Sequence, residues 1–174
     1  MREFFKVSLQ VNSTTRNMSM INIYQAETVN QIADARRLFR EYEAWLGLDL
    51  CFQGFENELQ NLPGKYSPPD GRLLLSSLDE DLAGCIALRS LEEEVCEMKR
   101  LYLRDGFRGI GLGNAMVEKL IAEARMIGYK KMRLDTYPPK MRKAVNIYES
   151  LGFSAIPPYY NNPHEGVLFM ELNL

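Results

Sequence analysis

From residue 21 the apolar positions come as a short run, INIYQA, which reads as a strand, and then recur at helical spacing through Val29, Ile32, Phe39, Tyr42 and Leu46. Thr28-x-x-Gln31 is a capping-box pattern that opens this helix, and Gly47 ends it. A second, shorter helix is expected over 55–62, stopped by Pro63-Gly64, with SPPDG at 67–71 as a turn. Three strands follow at 72–77, 82–88 and 95–103, joined by polar hairpin connections at 78–81 and 90–94. A helix over 111–127 carries Leu112, Met116, Leu120, Ile121, Ala124 and Ile127 on one stripe, with Gly128 placed for a C-terminal cap. A strand at 131–136, a helix at 140–150 ending at Gly152, and strands near 153–156 and 166–172 complete the pattern, the last two flanking the loop PPYYNNPHE. The order βααβββαβαββ predicts an α/β protein with a mixed sheet and helices on both faces.

Size and charge narrow this only a little. The 174 residues suit one domain, expected over 20–174, with 1–19 as an N-terminal extension or an extra edge strand. Hydrophobic residues at 46% and charged residues at 25% are ordinary for a globular protein. A net charge of -2 gives no electrostatic ground for nucleic acid or an anionic membrane, though local basic clusters can still bind an anion. Cys51, Cys85 and Cys96 show neither disulfide nor zinc spacing, so no metal and a reducing cytoplasm are expected. Residues 1–20 lack the apolar core of a signal peptide, and no stretch approaches the roughly 20 apolar residues that span a bilayer.

The segment FRGIGLGNAM, 107–116, sets three glycines between a strand and a helix. A strand, turn, helix and strand in this order form a right-handed crossover, which puts the glycines at the helix N-terminus. There the first backbone N–H groups lack intrahelical partners and the helix dipole is positive, so phosphate binds where no Cβ blocks it. Gly109, Gly111 and Gly113 clear that approach and Arg108 adds a cation; the other reading is a turn needed only for tight helix-on-sheet packing. No Lys-Ser or Lys-Thr follows the glycines, so this is not a P-loop, and Asn114 or Met116 stands where a dinucleotide fingerprint needs Gly or Ala. In the preceding strand, alternation puts Met98, Arg100 and Tyr102 opposite Glu97, Lys99, Leu101 and Leu103, unless a bulge intervenes.

The pattern R-x-x-G-x-G at 108–113, the strand MKRLYL before it and the segment AVNIYESLGF at 144–153 resemble the GNAT superfamily of acetyl-CoA-dependent N-acetyltransferases. The resemblance runs from about residue 20 to 174 and is most specific between 97 and 153. It implies the GNAT fold, with a central parallel strand pair that splays to admit coenzyme A. It also implies that main-chain groups of Arg108, Gly109, Ile110, Gly111, Leu112, Gly113 and Asn114 hold the diphosphate. Leu101, Tyr102 and Leu103 would then meet the pantetheine arm, the amide near Leu103 stabilising the oxyanion. Tyr148 matches the acid that protonates the coenzyme A sulfur, its other reading being a packing residue between helix and sheet. Glu97 matches the general-base glutamate of one branch, its other reading being a salt-bridged strand residue, while many members use water instead. Relatives often place an asparagine three residues before Ala144; Met141 stands there, so that contact is absent or supplied by Asn146.

On the acceptor side the same architecture singles out Phe52, Gln53, Tyr66, Tyr159, Tyr160 and Asn162, with Arg89 able to pair with a carboxylate. Aromatic rings with a few amides suit a small amine or an amino acid, although PPYYNNP also reads as a rigid turn. His164, in the same loop, is the only histidine and a lesser candidate for a base. The resulting expectation is direct acetyl transfer from acetyl-CoA to a primary amine, without a covalent enzyme intermediate. A longer acyl-CoA as donor, or a coenzyme A binding regulatory module without catalysis, are the rival readings. The resemblance further implies a homodimer through sheet edges, although no heptad repeat is present.

Overall fold

The structure is a computed structural model that describes residues 6–7 and 20–174, and among them one mixed sheet organises the chain. Its strands are β1 (Lys6–Val7), β2 (Ile21–Gln25), β3 (Arg72–Leu78), β4 (Asp81–Glu92), β5 (Val95–Leu103), β6 (Lys131–Thr136), β7 (Ser154–Ile156) and β8 (Leu168–Asn173). They lie in the order β1-β2-β3-β4-β5-β6-β8-β7, and only β5 and β6 run parallel. The helices are α1 (Val29–Leu46), α2 (Phe55–Gln60), α3 (Leu112–Ile127) and α4 (Pro138–Ser150). From β2 onward this is the α/β order read from the sequence. Lys6 and Val7 pair with Asn22 and Ile21 at the sheet edge; the rest of the expected extension lies outside the described residues.

Local chemistry explains most boundaries. The Thr28–Gln31 capping box forms, and Gly47, in the left-handed region at φ 64°, donates back to the Glu43 carbonyl. α4 begins two residues earlier than expected because Pro138 and Pro139 fit the first helical turn, where no amide hydrogen is needed. β4 is longer than expected: Asp79 and Glu94 take positive φ, so two-residue turns close both hairpins and the polar ends pair.

The two faces of the sheet carry two cores. In β3, Leu74 packs with Ile86, Met98, Met116 and Leu120 on the α3 side, while Leu73 and Leu75 join Phe39, Phe55 and Leu59 on the α1 and α2 side. Each such side chain, fully buried, contributes about 1.5–3 kcal/mol, so neither layer of helices can leave the sheet cheaply.

β5 holds the main departure from strict alternation. Its parallel ladder with β6 covers only Val95 to Glu97, after which the two strands separate. Its ladder with β4 shifts register between Cys85 and Ala87, opposite Arg100, whose φ is 60°. This bulge corrects the facing expected from alternation. Lys99 and Arg100 share the face of Glu97 and Tyr102, toward α1 and α2, while Met98, Leu101 and Leu103 pack toward α3. A left-handed arginine costs roughly 1–2 kcal/mol. A two-pronged bond to Glu58 (2.9 and 2.7 Å) and the Phe55 ring, 5.0 Å from the guanidinium, offset that cost.

Burial works against the charges of Glu58 and Asp135, but the cations and hydroxyls around them outweigh it and hold both carboxyls below their ordinary range. Lowered folded-state values mean stability that is complete above the unfolded pKa, near 4, and lost as the pH falls through the folded values. Thermal melts are therefore expected to give a level Tm between neutral pH and about pH 5 and a falling Tm below about pH 4. A Tm already falling near pH 6 would contradict these assignments.

Candidate active site

A groove of about 680 Å³ runs between the end of β5, the glycine turn and α4. Of the residues expected to meet coenzyme A, Leu101, Tyr102, Leu103, Arg108, Gly109, Gly111, Gly113, Asn114 and Asn146 line it. Of the expected set, Ile110 is exposed beside the turn and Leu112 is buried in the α3 core. Gly109 and Gly111 have φ of 81° and 85°, which sends the chain into α3 with its first amides outward. Among the described residues, the backbone N–H groups from Gly109 to Asn114 make no backbone hydrogen bond, the first turn of α3 closing at Ala115.

Four cations line the same groove: Arg108, Lys140, Arg142 and Lys143. Arg108 pairs with Asp105, donates from Nε to the Leu103 carbonyl at 2.8 Å and lies 4.7 Å from the Trp45 ring. Outward amides, a cationic rim and an open main-chain approach fit the diphosphate of an acyl-CoA. A Cβ added at Gly109 would meet nothing within 4 Å. Gly109→Ala is therefore expected to destabilise the fold by only about 1 kcal/mol, from the backbone alone, while raising KM for acetyl-CoA several-fold. Melts and initial rates on one preparation check both halves.

A smaller cavity, about 40 Å³, opens where β5 and β6 part. Leu101 and Met141 line both it and the groove, so the two spaces meet there. Met141 sits at a non-helical kink near the start of α4 with its sulfur 3.7 Å from the Thr136 hydroxyl; Asn146 lines the groove on the same helix. Tyr148 lines the small cavity at 3% exposure, its ring against Phe153, and no hydrogen bond to its hydroxyl occurs among the described residues. Burial, with Tyr42 and Asp135 nearby, pushes its phenol far above the ordinary tyrosine range, so it stays protonated.

The polar wall of this cavity is a network. Lys99 Nζ bridges the separated strands to Asp135 Oδ1 at 2.8 Å, and Tyr160 donates to Asp135 Oδ2 at 2.9 Å. Tyr160 in turn accepts from Asn162 (3.0 Å) and Gln53 (3.3 Å). Glu97 is 1% exposed; Oε2 binds Arg89 at 2.7 and 2.6 Å, and Oε1 accepts from Tyr159 at 2.8 Å. It lines neither the groove nor the small cavity. Gln53 and Asn162 line the small cavity, whereas Tyr159 and Tyr160 stand behind it and hold the carboxylates. Tyr66 is buried, donating to Glu58 at 3.0 Å, and the Phe52 side chain lies outside the described residues. His164 reaches the cavity rim with Nε2 2.8 Å from the Asp49 carbonyl.

Lys99, Arg100, Asp135, Glu58 and Trp45 were not singled out from the sequence. A signal for three of them was present: central strands buried on both faces rarely carry charges, so KR in VCEMKRLYL and D in KMRLDT demanded partners.

Comparison with known proteins agrees with this geometry. The family described as acetyltransferase (GNAT) matches residues 21–153. An uncharacterized N-acetyltransferase of Schizosaccharomyces pombe is 37% identical over 158 residues, covering 90% of this chain and 96% of its own. One of Dictyostelium discoideum is 32% identical over 210 residues, covering 85% of this chain and 97% of its own. A Salmonella typhimurium acetyltransferase solved with its cofactor acetyl-CoA has the same fold at TM-score 0.60 and 21% identity, covering 88% of this chain and 93% of that one. No helix among the described residues is long and apolar enough to cross a membrane. With a family match over most of its length, two relatives covered nearly end to end, and a glycine turn opening on a split parallel strand pair, this chain belongs to the GNAT family of acetyltransferases.

Proposed function

We propose that the protein transfers the acetyl group of acetyl-CoA directly to the primary amine of a small molecule. The observation that carries this reading is the junction at Leu101 and Met141, where a cationic, amide-lined groove meets a small buried cavity that contains a phenol. Acetyl-CoA supplies an acetyl group activated as a thioester. The amides from Gly109 to Asn114 and the cations beside them hold the diphosphate, and the β5 edge beyond Glu97, parted from β6, presents the main chain of Leu101 to Leu103 to the pantetheine arm. The same main-chain donors face the carbonyl oxygen as it gains negative charge.

Tyr148 gives its proton to the departing sulfur and regains one from solvent after the amine nitrogen has lost its own. Phenolate and thiolate both suffer in the same dry site, so a raised phenol does not by itself forbid the transfer. Glu97 holds Arg89 and Tyr159 with both oxygens, and we assign the amine's proton to water rather than to this carboxylate. The cysteines support direct attack: none lines these cavities, and burial pushes the Cys96 thiol up to about 12.

Thiol release from acetyl-CoA, followed with a panel of primary amines, tests the reading. Amine-dependent release with acetyl-CoA, exceeding that with propionyl- or succinyl-CoA, is expected; binding without turnover across the panel would favour a regulatory module instead.

A further inference from the structure

A second cavity of about 200 Å³ is lined by Gln53, by residues of α2 and of the segment that follows it, and by Arg89 of β4. Gln53 lines both this cavity and the small one beside Tyr148. The orientation of its amide follows from its neighbours. Tyr160 uses its hydroxyl hydrogen on Asp135, so its oxygen can only accept, from Asn162 and from Gln53 Nε2. Gln53 Oε1 is thereby left as a buried acceptor with no partner, a costly state unless a donor reaches it.

Two other lining residues have the opposite character. Arg89 is held by Glu97 through Nε and Nη2, while Nη1 has no partner among the described residues. Lys65 lies on the same cavity, exposed and without an ion pair among the described residues. Glu58 is the cavity's carboxylate, and Arg100 and Tyr66 already engage both of its oxygens. One cavity is thus lined both by Gln53, which it shares with the space beside Tyr148 and which carries an unpartnered acceptor, and by the cationic donors of Arg89 and Lys65.

We propose that the acceptor is an amine that also carries a carboxylate, with its nitrogen against Gln53 Oε1 and its carboxylate on Arg89 Nη1 and Lys65. The inference rests on the acetyl-transfer reading of the adjoining cavity. An ammonium alone satisfies only Gln53; an anion alone satisfies only Arg89; an aminocarboxylate satisfies both at once. Glu97, itself held by Tyr159, acts through Arg89 as a positioning residue, fixing the guanidinium by Nε and Nη2 and leaving Nη1 for the ligand.

The test uses matched pairs: glycine and methylamine, L-alanine and ethylamine, L-leucine and isoamylamine, L-phenylalanine and phenethylamine, and β-alanine against ethylamine. Thiol release from acetyl-CoA gives kcat/KM for each, and calorimetry gives binding of the same compounds. In at least one pair the carboxylated member is expected to be favoured about tenfold or more, through KM. Arg89→Met with Glu97→Gln, which removes both buried charges together, is expected to lower kcat/KM for that amino acid about tenfold more than for its partner amine. Lys65→Gln, at an exposed position that cannot disturb the core, is expected to reduce the preference by a smaller factor. Amines lacking the carboxylate used equally well in every pair, or a preference that survives the double substitution, would overturn the proposal. Should no amine release thiol, the acetyl-transfer reading fails by itself. Saturable amino-acid binding abolished by the double substitution would still uphold the carboxylate site, and absence of all binding at millimolar concentration would refute it.

Discussion

Tyr148→Phe is expected to lower kcat about 100-fold while leaving KM for acetyl-CoA and the melting temperature nearly unchanged. The substitution removes one oxygen from a ring that keeps its packing against Phe153, and no hydrogen bond is broken by it among the described residues. A loss confined to kcat marks a group used in the reaction and not in binding. Burial holds the phenol far above its ordinary value, so Tyr148 should impose no loss of activity at alkaline pH up to about 10, near the ordinary tyrosine pKa. Rates across pH for both proteins, with acetyl-CoA saturating, check this. A wild-type rate that falls with a midpoint near pH 8 and a variant that lacks the fall would show a phenol far more acidic than the structure requires.

Arg100→Met is expected to have the largest effect on stability. Arg100 is almost fully buried at the β5 bulge, and its removal strands the Glu58 carboxylate of α2. Breaking such a pair from one side costs about 3–5 kcal/mol, which for a chain of this size lowers Tm by roughly 10 °C or more. Removing both charges, with Glu58→Gln added to Arg100→Met, should restore much of that loss, because the isolated charge and not the missing contact dominates the cost. Thermal melts of the single and double variants decide it; equal losses in the two would mean that bulge geometry, not charge, is what Arg100 supplies.

These two residues also show what the sequence made legible and what it did not. The place of Tyr148 is readable because the local segment from Ala144 to Phe153 carries its own signature. The glycine turn is readable for the same reason: its geometry depends on neighbours within a few residues, in a strand, turn and helix that fold locally. Arg100 escapes because its role depends on Glu58, 42 positions away, and on a one-residue bulge that alternation cannot anticipate. Lys99 and Asp135, 36 positions apart, escape likewise, although charges inside central strands announce that partners must exist. On the acceptor side, Gln53 and Asn162 line the small cavity, but Tyr159 and Tyr160 hold carboxylates in place, and Glu97, the candidate base, holds Arg89. Whether a polar residue faces a cavity or another side chain depends on tertiary packing, so residue type alone could not separate them.

Acyl-CoA capture by the amides at the start of α3 is the claim on which the rest depends, and a calorimetric titration of acetyl-CoA into the purified protein addresses it most directly. The account predicts saturable binding near one molecule per chain that weakens as salt screens the cationic rim. No heat of binding at millimolar acetyl-CoA, or affinity unchanged when Gly109 and Gly111 are both replaced by valine, would contradict it.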